Sequence, residues 1–310
     1  MSDRPVTMRD AVFNRIYELA LKDRNVIFIT ADMGAPSLDK FKTGLPKNFI
    51  NAGISEQGMI TVATGLALSG KKIFLYSIIP FVTERCIELV KVDISFMKLP
   101  VTLIGVGSGF SYNTLGPTHH GVFDVSLMRT LPDMTIFNCT DSAMADRITE
   151  SAYKLPGPSY IRMDRENLPS LYSAQEDFSK GYSKLRSGKD FCIIASGVLV
   201  RRALDVADEL ARHSINAGVI DLYRLKPIDR RMLEEIAKET GKIVTLEEHV
   251  KAGGMGSALG EMILDQDLDL KLKVLGIDDR FIPVYGRRDF IQQQTGLDKE
   301  SITHTILRWS

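Results

Sequence analysis

The stretch "NAGISEQGMITVATGLALSGKKIFLYS", residues 51–77, decides how the chain is read. Most of it is a smooth, apolar, Gly/Ala-rich run of helical length, and it ends in "KIFLYS" (72–77), a β-rich run typical of a buried strand. A helix leading into such a strand is the unit from which mainly parallel sheets are built. One residue is discordant: Glu56, an acid, opens the apolar helix. It would complement the positive end of the helix dipole, or it would be there for chemistry.

Outward from this unit the alternation repeats. "NVIFIT" (25–30), "VTLIGVG" (101–107), "MTIFNC" (134–139) and "SYIRM" (159–163) read as buried strands. Helical spacing covers 7–23, with Thr7 as N-cap, then 81–98 and 141–154. After about Arg165, "ENLPSLYSAQEDFSKGYSKLRSGKD" loses periodicity and reads as a connection. Alternation then resumes, with strands "DFCIIAS", "AGVIDL", "KIVTLEE" and "LKVLGI" between helices such as "VRRALDVADELARHS" and "DRRMLEEIAKET". The expected fold is α/β with two domains, each a mainly parallel sheet flanked by helices. Their expected bounds are 1–168 and 189–310, joined by a linker over 169–188.

Composition narrows the function. Lys plus Arg and Asp plus Glu are equal at 39 each, and no basic block stands out, so nothing recommends nucleic acid or anionic lipid as a partner. "MSDRPVTMRD" lacks the layout of a signal peptide, and no apolar run approaches the ~18 residues of a membrane span. The expectation is a cytoplasmic protein. Cys86, Cys139 and Cys192 are far apart with no CxxC spacing, and read as reduced, buried filler.

Two glycine-rich loops follow strands. "GVGSGF" (105–110) runs into turn formers instead of a helix, which argues against a dinucleotide site and for backbone passing close to something. "KAGGMGSALGE" (251–261) either cradles an anion at a helix N-terminus or is a tight packing turn. His119 and His120, in "LGPTHHGVFD", follow a strand, where ligand sites of open parallel sheets gather. With no third ligand at metal spacing they are not read as a metal site. His213, His249 and His304 need no function to explain them.

In this order, "NFINAGISEQGMITVATGLALSGKKIFLYS" and "GVGSGFSYNTLGPTHHGVFDVSLMRTLPDMTIFNCTD" resemble the pyrimidine-binding half of the transketolase family of thiamine-diphosphate enzymes. "LKPIDRRMLEE", "VTLEEH" and "GGMGSALGE" resemble the family's C-terminal domain. The likeness covers nearly the whole chain and is closest to the C-terminal subunit of split transketolases.

The resemblance implies that Glu56 is catalytic. In the family this glutamate, in an apolar pocket, hydrogen-bonds N1′ of the cofactor's aminopyrimidine and favours the imino tautomer that removes the thiazolium C2 proton. A two-carbon ketol unit then passes from a ketose to an aldose. Phe81 matches an aromatic that packs on the pyrimidine, and Asp32 an acid near the cofactor. His119, and with it His120, matches a position near substrate oxygens. Leu115 stands where full-length transketolases carry an acid that contacts substrate hydroxyls, and Ile78 and Glu84 stand where they often carry aromatics.

"GDG", the start of the family's motif for diphosphate and Mg²⁺ (or Ca²⁺), is absent from the chain. The resemblance therefore implies an N-terminal transketolase subunit carrying GDG, an α2β2 assembly, and an apolar interface flanking residues 51–98. Two other readings stand beside this one. One is a deoxyxylulose-phosphate-synthase-like or 2-oxo-acid dehydrogenase E1 beta-type subunit acting on pyruvate or another 2-oxo acid. The other is a non-catalytic scaffold.

Overall fold

A computed structural model describes residues 6–309. The expected outer limits of the two domains, at residues 1 and 310, and "MSDRP" lie outside the described residues. Two sheets organise the chain. The first is built from β1 (Val26–Thr30), β2 (Phe49–Asn51), β3 (Lys72–Ile78), β4 (Val101–Val106), β5 (Thr135–Asn138) and β6 (Ser159–Met163). The second is built from β7 (Tyr182–Arg186), β8 (Phe191–Ala195), β9 (Ala217–Leu222), β11 (Lys242–Val250) and β12 (Lys271–Ile277). Between β9 and β11, β10 (Arg224–Lys226) crosses back to the first sheet.

The strand orders are β10-β5-β6-β4-β3-β1-β2 and β12-β11-β8-β9-β7. All pairings are parallel except those of the two edge strands β10 and β7, which run antiparallel to β5 and β9. β1, β4, β6, β8 and β9 are buried along their whole length, which accounts for their unbroken apolar runs.

Local chemistry explains the helices that hold the site. In Met8–Lys22, the Thr7 hydroxyl accepts from the Asp10 amide at 3.0 Å, the expected N-cap. Helix Ser142–Lys154 is capped by Asp141, whose Oδ1 accepts from Met144 N at 2.9 Å. The other oxygen of Asp141 accepts from Leu171 N and Tyr172 N, pinning the start of the connection to the first domain.

The connection itself differs from expectation. Its last part is β7, an edge strand with one neighbour and mixed burial, so neither alternation nor an apolar run marks it. Strands β2 and β10, of three residues each, are too short to leave a periodic signal.

The expected helix over 81–98 is broken. It starts at Ile79 with Pro80 in its first turn, where a missing amide costs nothing. Helical bonding lapses after Val82, resumes at Ile87–Leu89 and widens into a π-helical turn at Val90–Ser95. At the break, Arg85 N donates to Pro80 O and Cys86 N to Thr83 O. Apolar spacing is continuous across the break, so the sequence hides it. Its consequence is to turn Arg85 toward the head of helix Glu56–Leu68.

Candidate active site

Helix Glu56–Leu68 begins right after a turn made by Gly53, at φ +72°, and Ser55. Its first residue does not face solvent, as a simple dipole partner would: Glu56 is only 4% exposed. Its Oε1 accepts from the Ser77 hydroxyl at the end of β3 at 3.3 Å, and its Oε2 accepts from Arg85 at 2.8 Å. The surroundings are thus less apolar than the resemblance suggests. A carboxylate this buried must be compensated by such donors.

Arg85 makes a second contact. Its guanidinium lies 4.3 Å from the centroid of the Phe81 ring, in cation–π geometry. A flat hydrogen-bond donor can therefore engage the Glu56 carboxylate and cover the Phe81 face at once.

Phe81 and His119 meet edge to face, with ring centroids 5.0 Å apart and planes at 72°. His119 in turn stands 5.9 Å from Tyr112, and the Arg165 guanidinium lies 5.1 Å from the Tyr112 ring centroid. Burial pushes the Tyr112 hydroxyl above its ordinary pKa, and the charges of Arg165 and Arg9 oppose this. Burial and the charge of Arg85 push the pKa of His119 down. A neutral imidazole results, with Nδ1 engaged by the Thr118 hydroxyl at 2.9 Å. Sequence reasoning missed Arg85, Tyr112, Arg165 and Arg9. Only the position of Arg165 at the end of a buried parallel strand could have flagged one of them.

The other expected site residues separate from this row. His120 is buried and packs T-shaped against Phe110, with ring centroids 5.1 Å apart and Nε2 lacking a partner. Burial lowers its pKa, against the charge of Glu248. Asp32, at φ +53°, exchanges two hydrogen bonds with Asn51, of 2.9 and 3.0 Å, that tie together the ends of β1 and β2. Of the departures from the family pattern, Leu115 is exposed, Ile78 is buried, and Glu84 turns one oxygen inward without a partner. Burial, with Asp124 nearby, pushes the Glu84 carboxyl up to about 7.

Both glycine loops have internal explanations. In "GVGSGF", Gly109 has φ +58°, and a Cβ there would collide with the Glu248 carboxylate, which accepts from Phe110 N at 3.0 Å. In "KAGGMGSALGE", the helix N-terminus does hold a carboxyl group, but it is the chain's own, and burial pushes its pKa up to about 7. Met255 N and Gly256 N donate to the two oxygens of Glu247 at 2.7 and 2.8 Å. His249 is fully used in packing: its Nε2 accepts from Val125 N at 3.1 Å, and its Nδ1 faces Val250 O at 2.8 Å.

Two α/β domains, with a buried glutamate beside an aromatic face at the C-terminal ends of the first domain's strands, define the class: an open parallel-sheet scaffold with a polar pocket where such sheets gather ligands. Residues 4–170 match the family described as "Transketolase, pyrimidine binding domain", and residues 181–302 match "Transketolase, C-terminal domain". The chain belongs to the transketolase family, and it corresponds to the C-terminal subunit of a split transketolase. It is 33% identical to an apulose-4-phosphate transketolase subunit of Phocaeicola vulgatus, over 100% of this chain and 99% of that one. It is 34% identical to a 6-deoxy-6-sulfo-D-fructose transketolase subunit of a Clostridium species, over 95% of this chain and 92% of that one. Among solved structures, "Split gene transketolase, inactive beta4 tetramer" superposes with a TM-score of 0.87 at 31% identity, covering 98% of both chains.

Proposed function

We propose that the chain is the pyrimidine-binding subunit of a two-chain, thiamine-diphosphate-dependent transketolase that moves a two-carbon ketol unit from a ketose to an aldose. The observation that carries this is the pairing of a buried Glu56 carboxylate with the Phe81 ring face, with a flat donor, Arg85, lying on both. The subunit relatives, similar over almost their whole length, support it. When bound, thiamine diphosphate supplies the carbanion-stabilising ring that such chemistry needs.

The chain's own residues do the rest. Glu56 would share a proton with the aminopyrimidine nitrogen, and Ser77 fixes the rotamer of its carboxylate. Phe81 would pack on the pyrimidine face. His119, neutral near pH 7, offers its free Nε2 to a substrate oxygen as donor or acceptor. The neighbouring charges of Arg165 and Arg9 suit a phosphorylated or otherwise anionic sugar. His120 and Asp32 serve as supports, His120 behind the substrate loop and Asp32 at the strand ends. Mg²⁺ and the diphosphate belong to an N-terminal partner carrying GDG, in an α2β2 assembly in the cytoplasm. The exposed Ile54, Val62, Val92, Phe96 and Met97 are the apolar surface available for that contact.

The test is reconstitution with an N-terminal transketolase subunit, thiamine diphosphate and Mg²⁺. Ketol transfer between a ketose phosphate and an aldose is expected. Release of CO₂ from pyruvate without ketose cleavage would instead select the deoxyxylulose-phosphate-synthase-like reading.

A further inference from the structure

The loop that carries Tyr112 and His119 is held from the second domain. Arg288 opens helix Arg288–Gln294 there, yet its side chain is buried against the first domain. It donates to Asp164 Oδ2 at 2.7 Å, to both oxygens of Glu248 and to the carbonyl of Ser108 at 3.2 Å. Asp164 also accepts from the hydroxyls of Ser108 and Ser111, at 3.0 and 2.8 Å, and from Glu166 N at 2.8 Å. Glu248 accepts from Phe110 N at 3.0 Å and from Gln292 at 2.6 Å.

One guanidinium thus bridges two buried carboxylates that between them grip residues 108, 110 and 111. The next residue is Tyr112. The same clamp reaches Arg165, whose amide donates to the Ser111 hydroxyl at 3.1 Å. Both members of the Arg165–Tyr112 stack are therefore set by it. A second grip lies further along the loop, where Gly286 N donates to Asn113 O at 3.3 Å and Tyr285 packs against Gly116. A fork that donates in fixed directions is what two separately held carboxylates require.

We infer that Arg288 is a positioning residue, through which the second domain sets the Tyr112–His119–Arg165 wall for the substrate. This rests on the functional reading above for its consequence in turnover, but its structural content stands apart from that reading. The clamp touches neither Glu56 nor Phe81, so it acts on the sugar and leaves the cofactor alone.

Arg288→Lys keeps the charge and removes the fork; Glu248→Gln keeps Arg288 on Asp164 and removes the anionic anchor of Phe110. Both are measured in the two-chain complex, with hydrogen exchange of residues 108–120 read beside the kinetics. The expected result in either variant is a KM for a ketose phosphate raised about tenfold or more, from misplaced binding groups. kcat and the thiamine diphosphate titration stay near wild type. Exchange quickens in 108–120 and not in 56–68. An unchanged KM with reduced kcat, or exchange that rises evenly over the chain, would mean only a structural role and would overturn the inference. If Arg288→Lys does not fold, Glu248→Gln decides. If the wild-type complex turns over no ketose, the functional reading fails, and exchange alone decides the clamp: quickening confined to 108–120 supports it, none refutes it.

Discussion

Arg85 lies on Glu56, donating to its Oε2 at 2.8 Å, and the same guanidinium covers the ring of Phe81. In the chain alone, Arg85 makes both contacts that the functional reading assigns to the aminopyrimidine. Glu56 is buried while Arg85 is 47% exposed, so it is Arg85 that has room to leave.

Replacing Glu56 by Gln should preserve folding, because Gln keeps an acceptor for Ser77 and frees Arg85 to solvent. Ketol transfer should fall by about 10²–10⁴-fold, the usual loss of a positioned proton-transfer group. Circular dichroism and steady-state assay of the reconstituted complex check the two halves of this statement.

Arg85→Ala removes an internal competitor. A half-exposed ion pair and a cation–π contact together stabilise the occupied site by about 1–2 kcal/mol. The apparent Kd for thiamine diphosphate should therefore tighten by roughly tenfold. Calorimetry of the complex measures it, and weaker binding would mean that Arg85 holds Glu56 ready for the cofactor.

Stability should depend on pH through Asp221. This buried carboxyl accepts from Thr140 and Tyr172, but burial pushes it up to about 7. A raised folded-state pKa gives stability that is fully present below the unfolded value and is lost as pH rises from there through about 7. The loss from this group is about 1.4 kcal/mol per pH unit within that window. Asp221→Asn should make the fall of Tm between about pH 4 and about 7 less steep, while Glu84 and Glu247, also raised to about 7, keep their share of it. His249 works in the opposite sense: burial lowers it to about 4, so its contribution disappears as pH falls from 6.5 toward that value.

Phe96, 82% exposed beside Val92 and Met97, should matter to assembly and not to folding. Phe96→Glu is expected to leave the stability of the chain within about 0.5 kcal/mol of wild type. Sedimentation should show the partner subunit no longer retained.

Much of this was legible in the sequence. Strands buried on both faces advertise themselves as apolar runs, as in "NVIFIT" and "VTLIGVG", so the two-sheet α/β plan followed directly. Thr7 signalled a helix start because capping is local chemistry. β7 and β10 left no trace because an edge strand is specified by its partner, which lies far away in the chain.

The site divides in the same way. Glu56 and His119 could be picked out from short motifs, but Arg85 faces Glu56 only because the helix after β3 breaks, at a place where apolar spacing carries straight on. Arg288 lies 124 residues from Asp164. Nothing in "YGRRDFIQQQ" separates this buried arginine from its exposed neighbour Arg287, since only the tertiary fold brings the two carboxylates to it.

The proposed active site is split, with this chain holding the pyrimidine and a partner holding the diphosphate. Calorimetric titration of thiamine diphosphate with Mg²⁺, into the chain alone and into its complex with a GDG-bearing N-terminal subunit, tests it most directly. The account predicts tight binding in the complex and none in the isolated chain. Tight binding by the isolated chain, or no binding by the complex, would contradict it.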